Sequence, residues 1–233
     1  MAVLVCFALK EEAAAFRKAA AASRPDVFVL VVGIGRRNAE KSIRDFLTAA
    51  PSQPDLVLTC GFAGGLNPEL KIGDVLFEMP AWKTGNAESK SQSSIGKAPL
   101  PLQQALLAAG ARPAKFFCAD RVAVTVAEKQ QLREKTGADA VEMESAAIHE
   151  VCRERGIPSV TVRVISDAAG EDLPLDFNVL SKPDKNLDFG KLALAIARSP
   201  GKIGALLQLQ KKTGHAARRL AAVLDKLVAS AVS

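Results

Sequence analysis

The sequence predicts an α/β fold, in which a β-sheet carries helices on its faces. Short β-rich segments alternate with helical stretches along the chain, which is the pattern of such a sheet. The 233 residues are 48% apolar, which is enough to bury one sizeable core. No internal repeat and no domain boundary interrupts the pattern. We therefore expect a single domain over residues 1–233.

The predicted strands are short apolar segments rich in β-branched residues and bounded by turn residues. They cover residues 2–7, 27–32, 55–60, 74–78, 115–119, 138–141 and 159–165. Helices are predicted between them, at residues 11–22, 39–49, 102–109, 127–135 and 145–155. The last helix ends before Gly156-Ile157-Pro158, because glycine and proline stop helices. Residues 83–98 are small, polar and rich in serine, which predicts a loop that is either a surface excursion or a lid.

The positive charge of the chain is concentrated in its C-terminal segment. The formal charge is +6, whereas residues 182–233 contain ten Lys/Arg against three Asp, so the remainder carries −1. Apolar residues recur there at helical spacing, which predicts a basic amphipathic helical segment over residues 182–233. Such a helix either lies on an anionic membrane surface or packs on the body or a partner subunit. No nucleic acid is expected as a partner, because only Phe177 and Phe189 lie in or near the segment to stack on bases.

The cysteines and histidines argue against several kinds of site. The four cysteines are widely separated and form no C-x-x-C pair, which predicts a reducing, cytoplasmic setting, peripheral to the inner membrane face if the basic tail binds lipid. His149 and His215 are the only histidines, so no metal site is expected. Gly33-Ile34-Gly35 lacks the third glycine of a dinucleotide-binding turn, since Asn38 stands there, and no organic cofactor is predicted.

Polar and glycine-rich segments follow six of the predicted strands. They are Glu11-Glu12, Gly33-Ile34-Gly35-Arg36, Gly61-Phe62-Ala63-Gly64-Gly65, Asp120, Glu142-Met143-Glu144 and Ser166-Asp167. Ligands of open α/β sheets bind at the carboxyl ends of the strands, so these segments are predicted to meet in one cleft. The two glycine-rich segments, residues 33–36 and 61–65, let the backbone approach a ligand closely, although each of them is also compatible with a simple turn.

Three acids and one arginine suggest chemistry on a sugar. Glu142 and Glu144 flank Met143, whose apolar side chain suits the face of a ribose, while carboxylates accept hydrogen bonds from sugar hydroxyls. Arg163 and Asp167 point to the same side if their strand continues. A carboxylic acid beside a leaving nucleobase, together with carboxylates near a sugar of oxocarbenium character, favours cleavage of an N-glycosidic bond. The alternatives are acids that only cap a helix and a buried Arg–Asp pair.

These segments occur in the order of a known family. Ala8-Leu9-Lys10-Glu11-Glu12, the two glycine-rich segments, Lys71-Ile72-Gly73-Asp74-Val75, Val141-Glu142-Met143-Glu144 and Arg163-Val164-Ile165-Ser166-Asp167 resemble the nucleoside phosphorylase/nucleosidase family over roughly residues 1–180. The chain is most similar to the methylthioadenosine/S-adenosylhomocysteine nucleosidase branch. The resemblance implies a three-layer α/β/α domain with a central mixed, twisted sheet, and a homo-oligomer, by analogy a dimer.

The resemblance also implies roles for individual residues. Glu12 would activate the attacking water, and Asp167 would protonate the purine, by expectation adenine, at N7. Glu144 would bind the ribose hydroxyls beside Met143, and Phe177, ten residues after Asp167, would cover the base. The remaining predicted substrate-binding residues are Gly35, Phe62, Ala63, Gly64, Val122, Glu142, Arg163 and Ser166.

The chain departs from the family pattern at several positions. Phe62 stands where family nucleosidases carry serine, and Arg121-Val122-Ala123 replaces an aromatic-containing stretch that holds adenine. The basic tail and Phe62 are similar to the hopanoid-associated branch, which implies a lipid-linked nucleoside as an alternative substrate. Hydrolysis is favoured over phosphorolysis, because Glu12 is present and no arginine-and-serine cradle for phosphate is visible. A catalytically silent binding protein of the same fold is the remaining alternative.

Overall fold

The computed structural model describes residues 1–20, 24–80, 100–180 and 200–232. Its strands are β1 (Val3–Phe7), β2 (Val27–Val31), β3 (Leu56–Gly65), β4 (Val75–Glu78), β5 (Arg112–Pro113), β6 (Phe116–Cys118), β7 (Ala140–Glu142) and β8 (Ser159–Asp167). Its helices are α1 (Lys10–Ala20), α2 (Arg36–Ala49), α3 (Leu100–Ala109), α4 (Val126–Thr136), α5 (Ser145–Glu154), α6 (Phe177–Leu180) and α7 (Ile203–Val232), the last preceded by a 3₁₀ turn at Pro200–Lys202. The predicted loop at residues 83–98 lies outside the described residues, as do residues 182–199 of the tail.

The strands form one mixed sheet in the order β2-β1-β3-β8-β4-β5, with β7 and then β6 attached to the far end of β3. β1 is parallel to β2 and β3, and β3 is parallel to β8. β4 runs antiparallel to β8, and β7 runs antiparallel to β3. The predicted mixed α/β sheet is therefore confirmed.

Helices cover both faces of the sheet, and the alternation of residues along β1 shows how. Val3, Val5 and Phe7 belong to a core cluster with side chains of α1, α3 and α7. Leu4 and Cys6 belong to a second cluster with side chains of α2 and α5. Because successive residues of a strand point to opposite faces, β1 contributes to both layers of the core. Each fully buried large apolar side chain contributes about 1.5–3 kcal/mol, so these two clusters account for much of the burial that stabilises the fold.

The C-terminal helix α7 divides into two halves with different surroundings. Its second half contributes six buried apolar residues to the core: Leu220, Ala221, Val223, Leu224, Leu227 and Val228. Its first turns leave Ile203 and Leu207 exposed by 44% and 54%. Most of the predicted amphipathic stripe that is described therefore packs on the body of the protein. Among the described residues, no helix is both long and apolar enough to cross a membrane.

Two strands are longer than predicted, and the extensions matter for the site. Residues 61–65 were predicted to follow the strand, either as a segment of close backbone approach to a ligand or as a bend, but they continue β3, because β8 pairs with them as far as Gly64 and Asp167. The register shifts between Ala63 and Gly64, so that Ser166 lies opposite no residue of β3. The exposed two-residue strand β5 was not predicted, since two residues show no alternation.

The prediction of a single carboxyl edge is wrong for β6 and β7. β7 pairs with the end of β3 through Gly64 and Val141 and runs in the opposite direction, with β6 parallel to it. Its carboxyl end at Glu142 therefore points back along β3 towards the middle of the sheet. The acids of this segment still approach the β3–β8 pair, but from the other direction.

Candidate active site

Arg163 of β8 is the centre of a buried cluster of charges. Its side chain is 1% exposed, and Nη2 lies 2.6 Å from Glu142 Oε2 and 3.2 Å from Glu144 Oε2. The guanidinium also donates to Thr59 Oγ1 and to the carbonyl oxygen of Cys60. Arg163 thus neutralises two carboxylates of the predicted acid segment, and the alternative of an Arg163–Asp167 pair is not what the structure shows.

Glu142 ties this arginine to the beginning of α5. Its Oε2 accepts the backbone N–H groups of Glu144 and Ser145, and its Oε1 accepts the Ser145 hydroxyl at 2.5 Å. A carboxylate is favoured there by the helix dipole. Burial raises the pKa of Glu142, but Arg163, the Ser145 hydroxyl and the two N–H groups outweigh it, so the pKa lies below its ordinary value. Glu142 is therefore an ionised anchor, and its two oxygens are engaged by protein groups.

Glu144 lies at the N-cap position of α5 and reaches across to the turn after β2. Its Oε1 accepts the backbone N–H of Gly35 at 2.9 Å, and Gly35 adopts a φ of 83°, which favours glycine. Burial raises the pKa of Glu144 to about 7, with the nearby Glu142 and Glu12 acting in the same direction and Arg163 opposing them. The predicted glycine turn therefore holds a carboxylate of the protein itself.

This raised pKa predicts a dependence of stability on pH. The folded state binds a proton at Glu144 more tightly than the unfolded chain does, so stability falls as the pH rises from about 4.5 through about 7. A shift of this size corresponds to roughly 3 kcal/mol. The free energy of unfolding, measured with urea, should be compared between the wild type and Glu144→Gln. The wild-type value minus the variant value should fall by up to this amount between about pH 5 and about pH 8. Glu150→Gln, an exposed change on the same helix, should leave the pH dependence unaltered.

Glu12 approaches the same arginine from the first turn of α1. It is 4% exposed, its Oε2 accepts the backbone N–H of Leu9, and its Oε1 accepts the backbone N–H of Phe62 at 2.8 Å. Burial raises the pKa of Glu12, although Arg163 and the backbone N–H groups oppose the shift. A Cβ at Gly61 would lie 2.7 Å from Glu12 Oε1 and 2.8 Å from Arg163 Nη1, so only glycine allows this approach.

Asp167 ends β8 and is held on both of its carboxyl oxygens. The Ser166 hydroxyl donates to Oδ1 at 2.7 Å and also lies 3.3 Å from the carbonyl oxygen of Ala63. Lys129 Nζ lies 2.6 Å from Oδ2. A Cβ at Gly64 would lie 3.3 Å from Oδ2, so glycine leaves room for the acid beside β3. The polar oxygens of Asp167 are thus anchored between β3 and α4.

The two predicted catalytic acids lie at opposite ends of one short stretch of β3. Phe62 holds Glu12, and Gly64 adjoins Asp167, two residues further along the strand. At about 3.3 Å of rise per residue, the two strand positions that these acids contact are about 7 Å apart. Met143, 8% exposed, stands between the two acids of its segment in sequence. The structure therefore brings Glu12 and Asp167 to the same stretch of β3, and Arg163 of the neighbouring strand β8 holds Glu144.

Val122 and Phe177 lie on two segments that are joined to each other. The backbone N–H of Val122 donates to Asn178 Oδ1 at 2.9 Å, and its carbonyl oxygen accepts Asn178 Nδ2 at 3.0 Å. Asn178 follows the half-buried Phe177 at the start of α6. The Leu173 N–H donates to the Val124 carbonyl, which adds to the same connection. The polar backbone groups of Val122 are thus engaged by a side chain that the sequence did not point to.

A cavity of about 340 Å³ opens beside Asp167. It lies between the segment after β8 and the first turns of α7, and its lining residues are Asp167, Glu171, Asp172, Leu173, Pro174, Ala205, Gln208, Leu209 and Lys212. Its volume is at the lower end of the range for small-molecule sites. Both segments contribute polar and apolar side chains to the lining, and Asp167 is the one predicted site residue among them.

Sequence reasoning missed Lys129 and Asn178, which contact the predicted site residues Asp167 and Val122. The helix α4 shows no apolar face, and its N-terminus carries a capping box in which Thr125 and Glu128 satisfy each other's backbone N–H groups. The Thr125-x-x-Glu128 spacing predicts the start of the helix. Nothing in the sequence distinguishes the buried Lys129 from the exposed charged residues around it. Asn178 forms its contact with Val122 over 56 residues, which no local pattern reveals.

Comparison with known proteins gives a consistent result. A model of the phosphorylase superfamily matches residues 17–198. The 5′-methylthioadenosine/S-adenosylhomocysteine nucleosidase of Shewanella halifaxensis is 31% identical over 180 residues, which cover 66% of this chain and 73% of the relative. The enzyme of the same name from Chromohalobacter salexigens is 30% identical over 178 residues, covering 65% of this chain and 71% of the relative.

Solved structures agree on the fold. The 5′-methylthioadenosine/S-adenosylhomocysteine nucleosidase of Campylobacter jejuni superposes with a TM-score of 0.64 at 19% identity, covering 98% of both chains. Futalosine hydrolase of Helicobacter pylori gives a TM-score of 0.67 at 18% identity, covering 98% of this chain and 97% of that one. The predicted nucleoside phosphorylase-like fold and the prediction of an N-glycosidase enzyme are confirmed. From this match over most of its length, the chain belongs to the phosphorylase superfamily.

Proposed function

We propose that this protein hydrolyses the N-glycosidic bond of a purine nucleoside and releases the free base, with adenine as the expected base. The observation that carries the proposal is the placement of Glu12 and Asp167 at the two ends of the Phe62–Gly64 stretch of β3. Hydrolysis needs a base for water on one side of the anomeric carbon and a proton for the leaving group on the other. The nucleosidase relatives named above support the same reaction class.

Glu12 is suited to take the proton of the attacking water. Two backbone N–H groups fix its carboxylate in place, and burial raises its pKa, which makes it a stronger base near neutral pH. The oxygen of the water forms the bond to C1′ while its proton passes to Glu12. A fixed carboxylate needs no reorganisation during this step.

Asp167 is suited to act on the base. As the C1′–N9 bond breaks, its electron pair stays with the purine, which becomes a good leaving group once N7 carries a proton. The Ser166 hydroxyl holds Oδ1, so the carboxyl group is fixed at the end of β8.

Glu144 is suited to bind the sugar between them. Its carboxylate accepts hydrogen bonds from vicinal hydroxyls, and its negative charge stabilises the oxocarbenium character that develops at the ribose. Gly35 and Arg163 hold it in position, and Met143 adds an apolar, polarisable surface next to it.

Hydrolysis is favoured over phosphorolysis because the cationic and N–H groups around Arg163 already bind carboxylates of the protein. Arg163 is bonded to Glu142 and Glu144, and the Gly35 N–H is bonded to Glu144. Groups that would bind a phosphate dianion in place of the water are therefore committed to carboxylates. A phosphate ion at this point would meet three acids and one arginine.

One assay tests the proposal. The purified protein is incubated with adenosine, methylthioadenosine, S-adenosylhomocysteine and an adenosylated lipid, with and without phosphate, and the free base is measured. We expect base release without phosphate and a free reducing sugar as the second product. Release that depends strictly on phosphate would show phosphorolysis, and no release from any nucleoside would refute the proposal in favour of a binding protein.

A further inference from the structure

Lys129 is a buried cation in direct contact with the proposed acid. It is 0% exposed, and it is the one buried residue of α4, whose other side chains are exposed or half-buried. Its Nζ lies 2.6 Å from Asp167 Oδ2 and donates to the carbonyl oxygens of Ala168 and Glu171, each at 2.8 Å. A lysine ammonium has three N–H donors, so all of them are used.

The burial of this charge calls for a specific partner. Taking an ammonium group out of water is costly unless a counter-charge and hydrogen-bond acceptors replace the solvent. The two carbonyl oxygens alone supply acceptors but no counter-charge, and Asp167 supplies the charge. The ion pair therefore links the position of α4 to the charge on the carboxyl group at the end of β8.

The contact with Asp167 strengthens as the proposed reaction proceeds. To act as the acid, the Asp167 carboxylate must first take up a proton, and transfer of that proton to N7 restores the carboxylate beside the Lys129 ammonium. The attraction to a carboxylate is the larger one, and an interaction that grows towards the transition state lowers the barrier. The bond from the proton to Asp167 breaks as the bond to N7 forms, and Lys129 keeps its own protons throughout.

We propose that Lys129 is a positioning residue for the acid step, which fixes the Asp167 carboxyl group and stabilises the carboxylate that remains once the purine has taken the proton. This inference rests on the proposed function. A purely structural role is the competing explanation, since two of the three Nζ hydrogen bonds clamp the turn after β8.

The test compares Lys129→Met on two substrates. With the purine nucleoside that the wild type cleaves, kcat should fall by about 10²–10³-fold with little change in KM. With 4-nitrophenyl β-D-ribofuranoside, the leaving group departs as a stable anion and needs no proton, so Lys129→Met should lose less than about tenfold. Asp167→Asn should show the same selectivity, and the double variant should be no slower on the nucleoside than Asp167→Asn alone.

Two further variants complete the experiment. Lys135→Met, at the exposed end of the same helix, should leave both rates unchanged. Lys129→Gln keeps a hydrogen-bond donor without the charge and serves as the folded alternative if Lys129→Met does not accumulate, as judged by urea unfolding. It should show the same substrate selectivity, to a smaller extent.

The outcomes separate this proposal from the function on which it rests. Equal losses on both substrates, or additive losses with Asp167→Asn, would overturn the positioning role and leave Lys129 as a clamp for the turn. If the wild type releases no base from any nucleoside, the proposed function fails first and the inference falls with it. Activity of the wild type with a selective defect in Lys129→Met supports both.

Discussion

Glu12→Gln should lower the rate of base release by about 10²–10⁴-fold, the usual contribution of a positioned general base. The glutamine keeps the size of the side chain but is not able to take a proton from water. Its amide also presents N–H donors to one of the two backbone N–H groups that now bind the carboxylate, from Leu9 and Phe62. The loss of that hydrogen bond costs roughly 1 kcal/mol, against the relief of removing a buried charge, so the fold should persist.

The measurement is the initial rate of base release at saturating nucleoside, together with urea unfolding of both proteins. The neighbouring Glu11→Gln is the matched control, because Glu11 is exposed on the same turn of α1 and should leave the rate within twofold, about the scatter of such assays. The nitrophenyl riboside gives a second check. Cleavage of this substrate also uses an attacking water that Glu12 must activate, so Glu12→Gln should be slow on it too. A Glu12→Gln enzyme as fast as the wild type would remove Glu12 from the mechanism.

The strands with runs of β-branched and aromatic residues could be predicted from the local sequence. β1, β4 and β8 are runs of β-branched and aromatic residues that are buried on both faces, and such runs form strands in most contexts. The extension of β3 was not predictable, because a run such as Gly61-Phe62-Ala63-Gly64-Gly65 usually marks a turn. Here the partner strand β8 supplies the backbone hydrogen bonds, and the approach of Glu12 and Asp167 supplies the reason for glycine.

The acids of the site were predictable as residues but not as an arrangement. Glu12, Glu144 and Asp167 stand in segments with an unusual polar pattern, and the resemblance to a family adds roles for them. Their partners are long-range: the Gly35 N–H reaches Glu144 over 109 residues, and Arg163 reaches Glu142 over 21. Sequence spacing says nothing about which cation meets which acid, so the pairing of Asp167 with Lys129 instead of Arg163 came only from the structure.

Arg163→Met should lower the free energy of unfolding by about 3–5 kcal/mol at neutral pH, because it leaves buried carboxylates without their counter-charge. Glu142 and Glu144 are each 4% exposed, and the arginine contacts both. Methionine fills most of the volume, so the loss reports charge rather than a cavity. Arg153→Met is the matched control, because Arg153 forms an exposed pair with Glu150 and should cost less than about 1 kcal/mol.

The pH dependence separates this electrostatic cost from a packing cost. Without Arg163 the carboxyl groups hold protons more tightly, so the destabilisation of Arg163→Met should shrink as the pH falls from about 8 towards about 5. Adding Glu142→Gln to Arg163→Met removes one of the stranded charges and should recover part of the loss at about pH 8. Urea unfolding of the three variants at both pH values measures these differences. A cost that is the same at both pH values, and that Glu142→Gln does not relieve, would mean that Arg163 stabilises the protein by packing, and that the acids around it are not held together by its charge.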